Sequence, residues 1–232
     1  MNPRTILLAG AFGIALTGSA AAVDAPMAAP GVVYNWTGLY VGVHAGGGWG
    51  DKDWTFVPIG TTTSHDVDGF LGGGQIGYNF HVDSWVFGVE GQLSWADIDG
   101  SSPCPNAGFT CRTEINWVGT LTGRVGIVLD NMLVYVRAGG AWADEDYTAF
   151  GPAVTTFSAS STRSGWTGGL GLEWAFTEFW SAKIDYYYID FGTDRVNLRT
   201  AAGVTDPADV EQILHIVKVG INYRFGGGAM PY

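Results

Sequence analysis

Four histidines, His44, His65, His81 and His215, are the residues of this sequence best suited to serve as bases or metal ligands. They fall on a strand, a loop, a turn and a strand end, with no pair at ligand spacing. No Gly-x-Ser-x-Gly or comparable nucleophile motif accompanies them, which argues against hydrolytic or acyl-transfer chemistry. Cys104 and Cys111 bracket six residues within a segment that reads as a loop. A metal would need further thiols or histidines nearby, so a disulfide that staples the loop is the natural reading. The acidic groups Asp51/Asp53, Asp144-Glu145-Asp146 and Asp206/Asp209/Glu211 also fall in segments read as long loops. They could hold divalent cations against an anionic surface, although solvated loops are the plainer reading. Gly46-Gly-Gly48 and Gly72-Gly-Gly-Gln75 precede no helix and are not phosphate loops. No cofactor and no metal is implied.

A second set of charges is placed more regularly. Glu90, Arg124, Arg137, Glu173, Lys183, Asp185, Lys218 and Arg224 each occupy the polar phase of an alternating stretch. The clearest such stretch is 213–225, where Val217, Val219, Ile221, Tyr223 and Phe225 fall on one face and Lys218, Gly220, Asn222 and Arg224 on the other. A period of two is that of a strand with one apolar and one polar face. The pattern also runs through 37–49, 69–80, 85–96, 114–129, 132–143, 164–176 and 179–191. Asn116, Thr120, Thr122 and Arg124 share the polar phase of the fourth. The spacing therefore predicts eight strands, with short turns at 81–84, 130–131 and 177–178. Long loops are expected at 50–68, 97–113, 144–163 and 192–211.

The chain has 232 residues, 47% hydrophobic but only 14% charged, where a soluble domain carries roughly a quarter. Beyond the N-terminus no apolar run reaches the ~18 residues of a spanning helix. Arg4, the apolar run 6–16 and Ala20-Ala-Ala22 have the layout of a secretory signal peptide over 1–22; a retained anchor helix is the alternative, for which the run is short. An extended Ala/Pro-rich segment, 23–35, leads into a barrel over 36–225 and a tail over 226–232. Without Arg4, ten of the 11 basic residues face 22 acidic ones, which argues against nucleic acid as a partner.

The aromatic positions decide which face looks out. At the long-loop ends the apolar phase carries Trp49, Phe70, Trp95, Trp117, Trp142, Trp166 and Tyr188. At the short-turn ends it carries Phe80, Trp85, Trp174, Phe176, Trp180 and Phe225. Two belts of this kind suit the boundaries of a lipid bilayer, whereas a soluble barrel has no need of its bulkiest rings at both rims. The opposite phase is rich in glycine, including Gly42, Gly73, Gly77, Gly88, Gly126, Gly139, Gly171 and Gly220, as crowding inside a small barrel requires. The expected fold is an eight-stranded antiparallel up-and-down transmembrane β-barrel.

The stretch from Asn35 to Gly50 (NWTGLYVGVHAGGGWG) resembles the first strand of the small alphaproteobacterial outer-membrane proteins of the opacity-porin type. Residues 217–225 (VKVGINYRF) resemble their closing strand. The resemblance implies a barrel in the Gram-negative outer membrane, surrounded by outer-membrane lipid and lipopolysaccharide. It also implies a last strand, with Tyr223 and Phe225, that the barrel-assembly machinery reads. Such chains usually end at the aromatic, whereas here Gly226–Tyr232 follows, so either Phe225 is read internally or Tyr232 replaces it. The expected role is structural, maintaining the envelope and presenting loops to envelope or host partners. A narrow porin is the alternative. Haem or ligand binding is implied by some relatives alone, and no motif here supports it.

Within such a barrel the polar phase faces inward. Glu90, Arg124, Arg137, Glu173, Lys183 and Asp185 lie at similar depth, so they should pair as a belt with hydrogen bonds to Gln92, Tyr135 and Thr122, while Lys218 and Arg224 add positive charge from the closing strand. Three acids against five bases leave the lumen mildly cationic. Tight pairing would plug it, and loose pairing would line a narrow passage for anions.

Overall fold

The computed structural model of the protein describes residues 34–56, 61–103, 110–150, 156–200 and 205–225. The segment 1–22 expected to be a signal peptide, the lead-in up to residue 33, Cys104 and the 226–232 tail with Tyr232 lie outside the described residues. Eight strands form a closed antiparallel barrel in sequence order. They are β1 (Gly38–Phe56), β2 (Thr61–Val82), β3 (Trp85–Pro103), β4 (Thr110–Leu129), β5 (Met132–Phe150), β6 (Thr156–Ala175), β7 (Trp180–Thr200) and β8 (Thr205–Arg224). β1 closes onto β8, with Tyr40 opposite Arg224 and Trp49 opposite His215.

Alternation fixes the faces. On β1, Leu39, Val41 and Val43 stand exposed, while Tyr40 and His44 are buried inside. Lipid contact makes this inversion of the usual soluble pattern favourable, because hydrocarbon solvates the apolar face and the polar face finds partners within. The girdle residues project outward, from 40% exposed at Trp142 to 81% at Phe70, with Trp117 partly covered. Inward glycines make room for the large lumen side chains. A Cβ at Gly171 would lie 2.5 Å from Tyr135 Cζ, and one at Gly77 would collide with the Tyr40 ring.

The long loops expected from sequence are mostly strand. Each strand runs 19 to 22 residues, about twice the ~9–11 that a membrane crossing needs. The wall thus continues well past the Trp49–Trp166 girdle. Once the wall leaves lipid, the polarity of the two phases reverses. Asp51, Asp53, Asp66, Asp68, Asp97 and Asp99 face out and are exposed. Val67, Leu71, Ile98, Ile115, Ala141, Ala143, Ile189, Phe191, Leu214 and Ile216 face in and form a buried core. The acidic groups read as loop residues accordingly lie on strands, and Glu145 is fully buried.

Asn116 also departs from expectation. Trp117 pairs with Asp144 and Ile115 with Glu145, which leaves Asn116 as the extra residue of a bulge. It therefore turns outward, where its Nδ2 donates to Asp146 Oδ2 at 2.9 Å. A second irregularity lies between Asp190 and Thr193 on β7, where Gly192 adopts φ +62°, a left-handed value that favours glycine. The short turns stand where expected, with Asp83 and Asp130 in the left-handed region (φ 53° and 56°) that Asp tolerates in tight turns.

Candidate functional site: the barrel interior

At mid-height Glu90 is the hub of the lumen. Its carboxylate accepts from Arg137 Nη1 (2.7 Å), Lys183 Nζ (2.9 Å), Tyr40 Oη (2.7 Å) and Gln92 Nε2 (2.6 Å). Arg124 Nη1 stands 3.8 Å away and pairs more closely with Glu173, at 3.1 Å. Asp185 takes Arg137 at 2.7 Å and Lys183 at 3.2 Å. Glu173 also accepts from Ser181 Oγ (2.5 Å) and Asn222 Nδ2 (2.8 Å). The structure thus brings six of the eight singled-out charges into one paired cluster, all buried. Tyr135 donates to Asp185 at 2.5 Å. Thr122 does not touch the charges, because its hydroxyl is spent on the backbone carbonyl of Glu90 at 3.5 Å.

Lys218 and Arg224 stand apart from the carboxylates. Lys218 donates to Gln92 Oε1 (2.9 Å) and Ser94 Oγ (3.1 Å) and lies 4.9 Å over the Tyr187 ring. Arg224 sits at the short-turn mouth, 4.6 Å over Tyr34 and 4.7 Å over Trp36. Both side chains are held by dipoles and ring faces instead of by countercharge.

His44 enters a chain that its sequence position did not reveal. Its Nδ1 lies 2.5 Å from Gln75 Oε1 and its Nε2 2.8 Å from Ser94 Oγ. Gln75 Nε2 in turn donates to Asn222 Oδ1 at 2.8 Å. His215 faces outward at the girdle, stacked on Trp49 at 5.8 Å and bonded to Tyr186 Oη at 2.7 Å. His81 lies beside its turn, and His65 is on β2. Among the described residues no three His, Cys, Asp or Glu side chains are grouped to hold a metal.

Below the hub, Trp36 is fully buried against Val86, Leu133, Tyr135 and Ala175. Above it lies the apolar core of the hairpin end. The interior is therefore packed with side chains at three heights.

The sequence matches the outer membrane protein beta-barrel domain family over residues 11–225. The chain belongs to this family. It is 31% identical over 219 residues to a 31 kDa outer-membrane immunogenic protein of Brucella melitensis, covering 87% of this chain and 89% of that one. A 25 kDa outer-membrane immunogenic protein of Brucella abortus is 29% identical over 232 residues, covering 96% and 98%. A 22 kDa outer membrane protein of Rhizobium leguminosarum bv. viciae is 30% identical over 155 residues, 66% of each chain. Among solved structures, the outer membrane protein OprG of Pseudomonas aeruginosa aligns with a TM-score of 0.49 at 11% identity, covering 82% of this chain and 96% of that one. This is an alphaproteobacterial-type outer-membrane barrel.

In an outer-membrane barrel the closing aromatics face lipid at the short-turn rim. Tyr223 packs edge-on to Trp180 (5.1 Å) and Phe225 (5.1 Å), and Phe225 is exposed. Cys111 is disulfide-bonded. Beyond the outer girdle the barrel holds a second polar group that sequence reading missed. Lys52 Nζ donates to Glu145 Oε2 at 2.8 Å with both side chains fully buried, and Tyr147 Oη donates to the same oxygen. Arg163 caps the β7 irregularity through the carbonyls of Gly192 (2.8 Å) and Val210 (2.9 Å). The one advance signal was that Lys52, Glu145 and Arg163 share the phase of apolar neighbours such as Leu214 and Ala143.

Burial pushes the Lys52 ammonium down to about 8, against the opposing pull of Glu145, and burial raises the Tyr147 hydroxyl above its ordinary value. Between about 8 and the ordinary 10.5 the unfolded chain holds a lysine proton that the folded chain lacks. Stability from this group is therefore lowest below about 8 and rises as pH climbs through the window. Relative to Lys52→Met, the wild type should gain up to roughly 3 kcal/mol across it, read as unfolding midpoints in denaturant. A flat or falling difference would refute this reading of the pair.

Proposed function

We propose that this protein is a closed outer-membrane barrel with a structural and interactive role, stiffening the envelope and holding an extended hairpin wall outward. The observation that supports this reading is the filled interior: the Trp36 packing, the Glu90 cluster and the hairpin-end core follow one another along the axis. Eight strands already leave little free lumen, and paired charges occupy what remains. A porin would need the bonds around Glu90 to part for every passing solute.

The reading is non-enzymatic. Ser94, His44 and Gln75 have the hydrogen bonds of a nucleophile relay, yet Ser94 is fully buried and Lys218 shares its hydroxyl. No substrate carbonyl can reach that oxygen. On this account outer-membrane lipid and lipopolysaccharide surround the two girdles, the assembly machinery reads Tyr223 and Phe225, and the hairpin end meets envelope or host partners. Long exposed hairpins also fit the description of the Brucella relatives as immunogenic. Removing the protein from cells should raise their sensitivity to detergent and leave uptake of small solutes unchanged. Slowed uptake with unaltered detergent sensitivity would favour the porin and overturn the proposal.

A further inference from the structure

Residues 34–37 precede β1 and carry no regular secondary structure, yet Trp36 has no exposed surface. At the short-turn end it shares one buried apolar cluster with Val86 on β3, Leu133 and Tyr135 on β5 and Ala175 on β6. The chain enters this position through Gly38, whose φ of +138° disfavours any other residue. A Cβ there would stand 2.8 Å from the Phe225 carbonyl oxygen. The β2 rim holds the segment from the other side. Trp36 N–H donates to His81 Nδ1 at 3.4 Å, and His81 N–H donates to Thr37 Oγ1 at 3.0 Å.

The decisive contact is with the closing strand. Arg224, 2% exposed, forms no ion pair among the described residues. Its Nη1 donates to the Asn35 carbonyl at 2.6 Å, and its guanidinium lies over the Tyr34 and Trp36 rings. A buried cation is costly unless partnered, and this one takes its partners from the chain that precedes β1. Those partners are in place only when β8 lies against β1, where Phe225 N–H donates to the Leu39 carbonyl at 2.8 Å.

We propose that Tyr34–Thr37 is a latch: it seals the short-turn mouth and, through Arg224, locks β8 to β1 at the seam where the barrel closes. Seating the latch and closing the seam are then one coupled event. Removing Trp36 strips Arg224 of one of its two ring partners and uncovers Val86, while the Glu90 cluster above keeps the lumen shut. Failure of the latch and failure of the closed-barrel reading are thus separate outcomes.

The test uses the full chain refolded in detergent micelles, its native cysteines oxidised, with one added thiol at Val86→Cys and a polar thiol reagent. With the latch intact the thiol should react slowly. Trp36→Ala should speed it about tenfold or more, and Gly38→Ala, which removes no latch contact but strains its entry, should do the same. Trp36→Phe should lie between, and it serves if Trp36→Ala does not fold. A thiol placed at Ala141→Cys, in the hairpin-end core, should keep its slow rate in all of them. Thermal midpoints of Trp36→Ala, Arg224→Gln and the double variant should be non-additive, the double falling little below the worse single. Unchanged Val86→Cys labelling, equal acceleration at Ala141→Cys or additive midpoints would each overturn the latch.

Discussion

Glu90→Ala should be among the most damaging single substitutions in this barrel, costing roughly 3–5 kcal/mol. The carboxylate is fully buried and takes close hydrogen bonds from Arg137, Lys183, Tyr40 and Gln92. Its loss leaves Asp185 to serve two cations in a space closed to water. Truncating one partner of a buried charge cluster costs more than the cluster is worth, because the remaining charges keep their desolvation cost. Glu173→Ala should cost less, since it deprives Arg124 alone of a close ionic partner, along with Ser181 and Asn222. Thr122→Ala should change stability by no more than about 1 kcal/mol, since it removes one long bond to a carbonyl. Gel-shift melting of the folded band gives the order of the three. Equal midpoints for Glu90→Ala and wild type would mean that the charges are not coupled.

A pair of glycine substitutions carries the second large effect. Gly171 faces the lumen, where a Cβ would sit 2.5 Å from Tyr135 Cζ and would displace Asp185 from its place beside Tyr135. Gly171→Val should cost about 3 kcal/mol or prevent refolding, because overpacking here also breaks a buried charge contact. Gly91 lies on the outward phase of β3 between Val89 and Leu93, and nothing stands within 4 Å of a Cβ there. Gly91→Val should leave stability unchanged or raise it by up to about 1 kcal/mol, as the chain loses glycine's freedom and lipid gains an apolar side chain. The two variants add the same atoms, so refolding yield and melting measured side by side isolate lumen packing from strand propensity. Similar behaviour of the two would contradict the assigned faces.

The membrane-spanning half of this barrel was legible because every strand repeats one rule there. Val219 and Ile221 alternate with Lys218 and Gly220, and Trp residues end the apolar phase at both rims, so the lumen charges could be named from phase alone. Their partners could not. His44 meets Ser94, 50 residues away, and Lys52 meets Glu145, 93 residues away, and no local pattern encodes either contact. The hairpin extensions were missed for a physical reason. Above the girdle water replaces lipid, so the outward phase turns acidic and the inward phase apolar, and a search for apolar-outward strands stops at Trp49. Asn116 was misassigned because a bulge shifts the phase by one residue. Trp36 was read as the start of the barrel; it precedes β1, and no local pattern announces that its ring is fully buried.

The central claim is that the lumen is shut, and electrical recording from the wild-type protein tests it most directly. The refolded barrel, confirmed as folded by its gel shift, should give no discrete current steps when inserted into a planar bilayer at moderate voltage. Repeated steps of one uniform size, from protein whose folded band is intact, would show a continuous water path past Glu90 and contradict the account.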